Sequence, residues 1–166
     1  MKAVSKLGWT AYALALAVVA LDQAVKYWIV HVVDLASHPT IPVLGPFHLS
    51  FVRNTGVSFG LLQGEAGLIR WALTAFSLIV AVVLITWARR PERALTGVSL
   101  GLLIGGAIGN AIDRARLGYV IDFFDVQRLG FFPWVFNVAD SAITVGILLF
   151  LADAMRRDRA AQENGA

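Results

Sequence analysis

Acidic and amide side chains punctuate this chain where two very apolar stretches end: Gly109-Asn110-Ala111-Ile112-Asp113-Arg114, then Val120-Ile121-Asp122-Phe123, then Phe136-Asn137-Val138-Ala139-Asp140. A charged side chain at mid-bilayer costs roughly 2.5–3.5 kcal/mol on insertion scales, so such residues gather among protein groups and carry function. Asp122 stands in Tyr119-Val120-Ile121-Asp122-Phe123-Phe124, an aromatic setting in which desolvation favours the protonated carboxyl. Asp140 follows Asn137 by three residues. Asn137 suits a helix N-cap, and the helix N-terminus offers positive potential to a carboxylate in its first turn. Two carboxyls held in opposite protonation states supply an acid and a base. The ionised member takes a proton from water as it attacks a carbonyl, and the protonated member polarises that carbonyl. On spacing alone Asp125 can stand in for Asp122, and a set of solvated loop acids remains the plain alternative.

Nearby residues read as support. Asn110, Asp113 and Arg114 are three and four apart, which puts an amide, a carboxylate and a guanidinium on one helical face, with Asp113 expected to pair with Arg114. Asp22 and Lys26 are four apart and read as a structural ion pair inside the first apolar stretch. Other nucleophiles compete poorly. The chain has no cysteine, which excludes disulfides, thiolate nucleophiles and sulfur-ligated metals. The serines lack a general base, since the lysines are only Lys2, Lys6 and Lys26. Three histidines, His31, His38 and His48, form no His-x-x-x-His pair, so neither a metal nor another cofactor is expected.

The elements that position these groups follow from hydropathy. A hydrophobic share of 58%, a charged share of 15% and a mean hydropathy of +0.71 lie outside the soluble range and mark an integral membrane protein. With 166 residues there is room for four spans and no separate soluble module, so residues 1–166 read as one domain. The spans are expected at about residues 9–30, 66–88, 94–112 and 136–152, with outer loops at 31–65 and 113–135. Ala-x-Ala steps at 13–17 lie inside the first apolar run rather than after it, so that run reads as a retained span. Basic residues gather at Lys2 and Lys6, at Arg89, Arg90 and Arg93, and at Arg156, Arg157 and Arg159. The positive-inside rule then puts both termini in the cytoplasm and both long loops outside. The net charge of +3 is thus topological, and no nucleic-acid partner is implied.

In the first outer loop, alternation in Phe47-His48-Leu49-Ser50-Phe51 and in Val57-Ser58-Phe59-Gly60 flanks Asn54-Thr55-Gly56, which predicts two short strands joined by a turn there. An edge of such a sheet is able to accept a peptide by strand addition. Gly97, Gly101, Gly105 and Gly109 recur every four residues and predict close packing of the third span on a neighbour. Residues 156–166 are expected to be a disordered polar tail. Phe131, Phe132 and Trp134 suit an interfacial aromatic belt.

Five segments in order resemble the lipoprotein signal peptidases, the type II signal peptidases of bacteria: Leu21-Asp22-Gln23 with Lys26; Asn54-x-Gly56-x-Ser58-Phe59; Gly109-Asn110-x-x-Asp113-Arg114; Gly118-x-Val120-x-Asp122-Phe123; and Phe136-Asn137-x-Ala139-Asp140. The resemblance spans nearly the whole chain. It implies an all-α polytopic membrane protein of four transmembrane helices with a small extracytoplasmic β-cradle and a short surface helix. It further implies an aspartyl endopeptidase that cleaves prolipoproteins just before a diacylglyceryl-modified cysteine, in the bacterial inner membrane. Asp122 and Asp140 match the catalytic pair, and Asn54, Gly56, Asn110, Asp113, Arg114 and Asn137 match substrate-binding or supporting positions. Val57 stands where many members carry alanine. Membrane lipids are the other expected partners, and the chain is expected to be a monomer. Two rival readings, a proton-coupled transporter and a noncatalytic membrane scaffold, fit the intramembrane charges without explaining why the acids cluster at one end.

Overall fold

A computed structural model describes residues 3–56, 66–130 and 134–164. Four helices are long and apolar enough to cross a membrane: α1 (Lys6–His31), α2 (Ala66–Trp87), α3 (Ala94–Leu117) and α4 (Val138–Asn164). Their outward faces are apolar, with Leu16, Leu68, Phe76, Ile79, Val83, Leu148 and Leu151 exposed, as lipid contact requires. The most buried of the four is α3, and α1, α2 and α4 each pack on it.

The glycine stripe explains how α1 and α3 come so close. A Cβ at Gly101 would stand 2.7 Å from the Ala11 carbonyl oxygen, one at Gly105 2.8 Å from that of Ala15, and one at Gly109 2.9 Å from Asp22 Oδ2. With lipid on the outside, helix association rests on such close backbone packing rather than on expulsion of water.

The third and fourth spans differ from expectation by more than a turn at their C-terminal ends. The third continues five residues past Ile112 to Leu117, closed by Gly118 in the left-handed conformation (φ 87°), whose N–H donates to the Arg114 carbonyl. Arg70 of α2 donates to the carbonyls of Arg114 and Ala115 at 2.8 and 2.6 Å, a cation at the negative end of a helix. Asp113 and Arg114 are thus inside a helix rather than opening a loop. The fourth begins at Val138 and runs to Asn164, so through that residue the polar C-terminal stretch is helical, not a disordered tail.

A four-stranded antiparallel sheet, ordered β1 (Thr40–Leu44), β2 (Phe47–Asn54), β3 (Val120–Asp125) and β4 (Val135–Phe136), covers the ends of the helices. The β1–β2 hairpin turns at Gly45 (φ 53°) and Pro46, not at Asn54-Thr55-Gly56. The Asn54 side chain accepts the Gly56 N–H at 2.8 Å where β2 ends, so the Asn/Gly signal marks a true turn. The second strand expected at 57–60 lies outside the described residues, as do Val57 and Phe131 to Pro133 of the aromatic belt; Trp134 is exposed. A single 3-10 turn stands at Gln127–Leu129 in the second outer loop. The inner face of the sheet joins Ile121 and Phe123 to Ile29 and Leu35 in one apolar cluster, which fixes β3 against α1.

Candidate active site

Asp122 sits on β3, an interior strand, opposite Val52 of β2, and is only 1% exposed. Alternation along the strand directs it away from the Ile121 and Phe123 cluster. Asn54 Nδ2, at the end of β2, donates to its Oδ2 at 2.9 Å, and Asn137 Nδ2 donates to its Oδ1 at 2.6 Å. Burial first, then the neighbouring Asp140 charge, pushes the Asp122 carboxyl up to about 6; the two amides and Lys26 work against that rise. Asp122 is therefore poised to hold a proton near neutral pH.

Asp140 lies in the first turn of α4. Asn137 is the N-cap: its Oδ1 accepts the Asp140 N–H at 2.9 Å, and its own N–H donates to Asp140 Oδ2 at 3.2 Å. This reciprocal arrangement is a capping box with aspartate in the third helical position. Asn110 Nδ2 of α3 donates to Asp140 Oδ1 at 2.8 Å, while Asn110 Oδ1 accepts from Asn137 Nδ2 at 3.3 Å. Three asparagines from β2, α3 and the α4 cap thus grip both carboxyls, each of whose four oxygens accepts one hydrogen bond from them. An amide donates without adding charge, so the pair remains free to keep a single proton.

One cavity reaches Asp140, and a second reaches the Asn110 that holds it. The first, of about 550 Å³, is lined by Asn54, Trp134, Phe136, Asp140, Ser141 and Thr144. The other, an apolar groove of about 490 Å³ between α2, α3 and α4, runs past Leu73, Phe76, Leu84 and Ile147, with Asn110 and Arg114 at its polar end. Arg114 departs from expectation, since Asp113 does not pair with it. Asp113 is 3% exposed and instead meets Lys26 at 2.8 Å, because consecutive residues of a helix leave it about 100° apart. Arg114 Nε has no hydrogen-bond partner among the described residues. Gly56, with φ 79°, passes beside Leu73 and the Arg114 guanidinium, where a side chain would collide with Leu73.

The expected Asp22–Lys26 ion pair is present at 2.8 Å. Asp125, the alternative to Asp122, is tied up elsewhere. It accepts from Ser50 Oγ at 2.6 Å and from the Gln127 N–H at 2.9 Å; burial works against ionisation there, but these bonds together hold its carboxyl below the ordinary carboxylate range. Sequence reasoning quoted Gln23 in the first matched segment without giving it a role, and gave none to Arg70. The signal for Gln23 was its place between Asp22 and Lys26 on the same helix.

Comparison with known proteins agrees with this architecture. Residues 14–156 match the family model described as signal peptidase (SPase) II. The chain is 49% identical over 152 residues to the lipoprotein signal peptidase of Caulobacter vibrioides, covering 91% of this chain and 89% of that one. It is 47% identical over 143 residues to that of Methylorubrum extorquens, covering 85% and 82%. Among solved structures it is similar to a bacterial membrane enzyme determined by the in meso method at 1.9 Å, with a TM-score of 0.73 and 27% identity over 93% of this chain and 97% of that one. A match that runs through all four spans and both carboxyl-bearing segments, at nearly half identity to relatives of the same length, means that this chain belongs to the signal peptidase II family of bacterial membrane proteins.

Proposed function

We propose that Asp122 and Asp140 are the two catalytic carboxyls with which this aspartic endopeptidase removes the signal peptide from prolipoproteins. The observation that carries the assignment is the asparagine grip: both carboxyls are held by uncharged donors, beside a cavity of about 550 Å³ that Asn54 and Asp140 line. Asp140, at the positive end of α4, is the base that takes a proton from the attacking water. Asp122 holds the proton at rest and donates a hydrogen bond to the scissile carbonyl, stabilising the oxyanion as it forms. When the tetrahedral intermediate collapses, the proton on Asp140 passes to the leaving amine and Asp122 keeps its own.

The substrate reading follows from the groove. A cysteine carrying diacylglycerol brings acyl chains that belong in lipid, and the apolar groove between α2 and α4 opens along the helices toward the membrane. Arg114, with an unsatisfied Nε at the polar end of that groove, suits the ester or peptide carbonyls of the same substrate. Asn54, Gly56 and Asn110 line or support the path.

Orientation is read from charge. Ser5 N donates to the Arg89 carbonyl, Arg90 Nε to that of Ala3, and Arg157 meets Glu92 at 3.2 Å. The three basic segments are thus neighbours at the end of the bundle remote from the carboxyls, which supports cytoplasmic termini and an outward-facing site in this multi-pass inner-membrane protein. Residues 1–166 act as one domain and as a monomer.

The test is incubation of purified protein with a diacylglyceryl-modified prolipoprotein and with its unmodified form. Mass analysis is expected to show cleavage before the modified cysteine only, with none by Asp122→Asn or Asp140→Asn protein. Equal cleavage of the unmodified form would overturn the lipid-groove reading.

A further inference from the structure

Behind the two carboxyls lies a buried polar cluster that the hydrolytic scheme leaves unused. Lys26 Nζ stands 2.8 Å from Asp22 Oδ2 and 2.8 Å from Asp113 Oδ2, and all three side chains are at most 3% exposed. Gln23 Nε2 donates to Asp22 Oδ2 at 3.1 Å and to Asp113 Oδ1 at 2.9 Å. Two acidic side chains share one buried ammonium, and because taking such groups out of water is costly, their pairing is by itself weak evidence of a stabilising role.

What the cluster does with its remaining capacity is informative. Asp22 Oδ1 accepts the backbone N–H of Ala139 at 2.9 Å, and Asp113 Oδ2 accepts that of Ile121 at 3.1 Å. Ala139 immediately precedes Asp140, and Ile121 immediately precedes Asp122. A helix-to-helix staple between α1 and α3 would need neither contact. We propose that Asp22, Lys26 and Asp113 form a positioning brace: each carboxylate holds the backbone one residue before a catalytic aspartate, and Lys26 locks the two holders together, setting the separation of the catalytic carboxyls.

The brace joins elements that the asparagine grip does not. Through Asp22, α1 is fastened to the first turn of α4. β3 is fastened to α3 at Ile121, the second residue of the strand, eight positions from Asp113 in the chain. Gly109 is part of the same construction, since a Cβ there would stand 2.9 Å from Asp22 Oδ2. On the far side a cavity of about 210 Å³ is lined by Lys26, Asp113, Arg116, His31 and Tyr27; these are the charged and titratable groups that face the cluster from α1 and α3. A displacement of about 1 Å in a reacting group is enough to lower turnover on the order of 10²-fold. Asp22, Lys26 and Asp113 are thus positioning residues, not substrate contacts, and Gln23 assists them.

The proposal rests on the dyad assignment, so the experiment separates the two. Asp113→Ala leaves Lys26 paired with Asp22 while releasing the Ile121 N–H; Asp113→Asn keeps an oxygen to accept that N–H. Rates are measured per folded molecule on the lipidated substrate. Asp113→Ala is expected to lower kcat about 10- to 100-fold with KM changed by less than about threefold, and Asp113→Asn to restore most of the loss. Asp22→Ala and Asp22→Asn are expected to behave likewise through Ala139. A folded Asp113→Ala protein with kcat within about twofold of the parent, or an Asp113→Asn protein as slow as Asp113→Ala, overturns the brace. Gln23→Ala loosens the cluster with every charge still paired, and a severalfold fall in kcat is expected. If Asp113→Ala does not fold and Gln23→Ala keeps parental kcat, the cluster serves folding only and the proposal fails. Asp122→Asn and Asp140→Asn run beside them; activity retained in either one refutes the dyad whatever the brace variants do.

Discussion

Asn137 caps α4 with its Oδ1, offers its backbone N–H to Asp140 and spends its amide hydrogens on Asp122 and Asn110. Structure and chemistry therefore fail together when it is cut back. Asn137→Ala is expected to cost about 0.5–2 kcal/mol through the empty cap and to lower kcat on the order of 10²-fold by freeing both carboxyls; a thermal scan and a cleavage assay on the same sample check the pair. Asp122 adds a pH dependence of definite sign. Its carboxyl is near 6 in the fold against an ordinary 3.8, so the folded protein binds that proton more tightly than the unfolded chain. Its contribution to stability is fully present below about pH 3.8 and is lost as pH rises through about 6. In detergent the apparent Tm of the parent is expected to drift down across that window relative to Asp122→Asn, which carries no proton to lose. Parallel curves would count against a buried, proton-holding Asp122.

Among the elements, the α1–α3 contact sets the frame within which both carboxyls meet. Gly101→Val is expected to destabilise by about 1–3 kcal/mol through overpacking, because the new Cβ meets the Ala11 backbone. Gly67→Ala, with nothing within 4 Å of its Cβ, is expected to be neutral or to stabilise by up to about 1 kcal/mol through helix propensity. Comparing their unfolding transitions distinguishes a packing stripe from a helix-propensity effect. Apolar length alone located all four helices, since a lipid-crossing segment needs only that signal. Helix ends were harder: α3 outlasts its apolar run because Arg70 and Gly118 complete its last turn, and both act from outside the segment. β1 was not foreseen, because Pro42 interrupts its alternation on the edge of the sheet. The neighbours of Asp122 and Asp140 in the sequence marked them as candidates, and the fold links them through Asn137. The route from Asp113 to Lys26 was not readable, because residues adjacent in sequence leave a helix in different directions and only the tertiary fold says which partner waits there.

For the whole molecule, a polar site at one end and a basic rim at the other make a testable arrangement. The chain has no cysteine, so single cysteines report cleanly. Leu44→Cys, at an exposed position in the hairpin, is expected to react with a membrane-impermeant maleimide on intact spheroplasts, and Gln162→Cys, exposed near the end of α4, only after lysis. The reverse pattern would invert the topology and place the site in the cytoplasm. The central claim is that Asp122 and Asp140 act as one unit sharing a single proton, as coupled carboxyls do. The most direct test is the cleavage rate of folded Asp122→Asn, Asp140→Asn and the double variant on one lipidated prolipoprotein. Each single change is expected to lower kcat by about 10³-fold or more, with the double variant little slower than either. Effects that multiply, or a single variant that keeps the parental rate, would contradict the shared dyad.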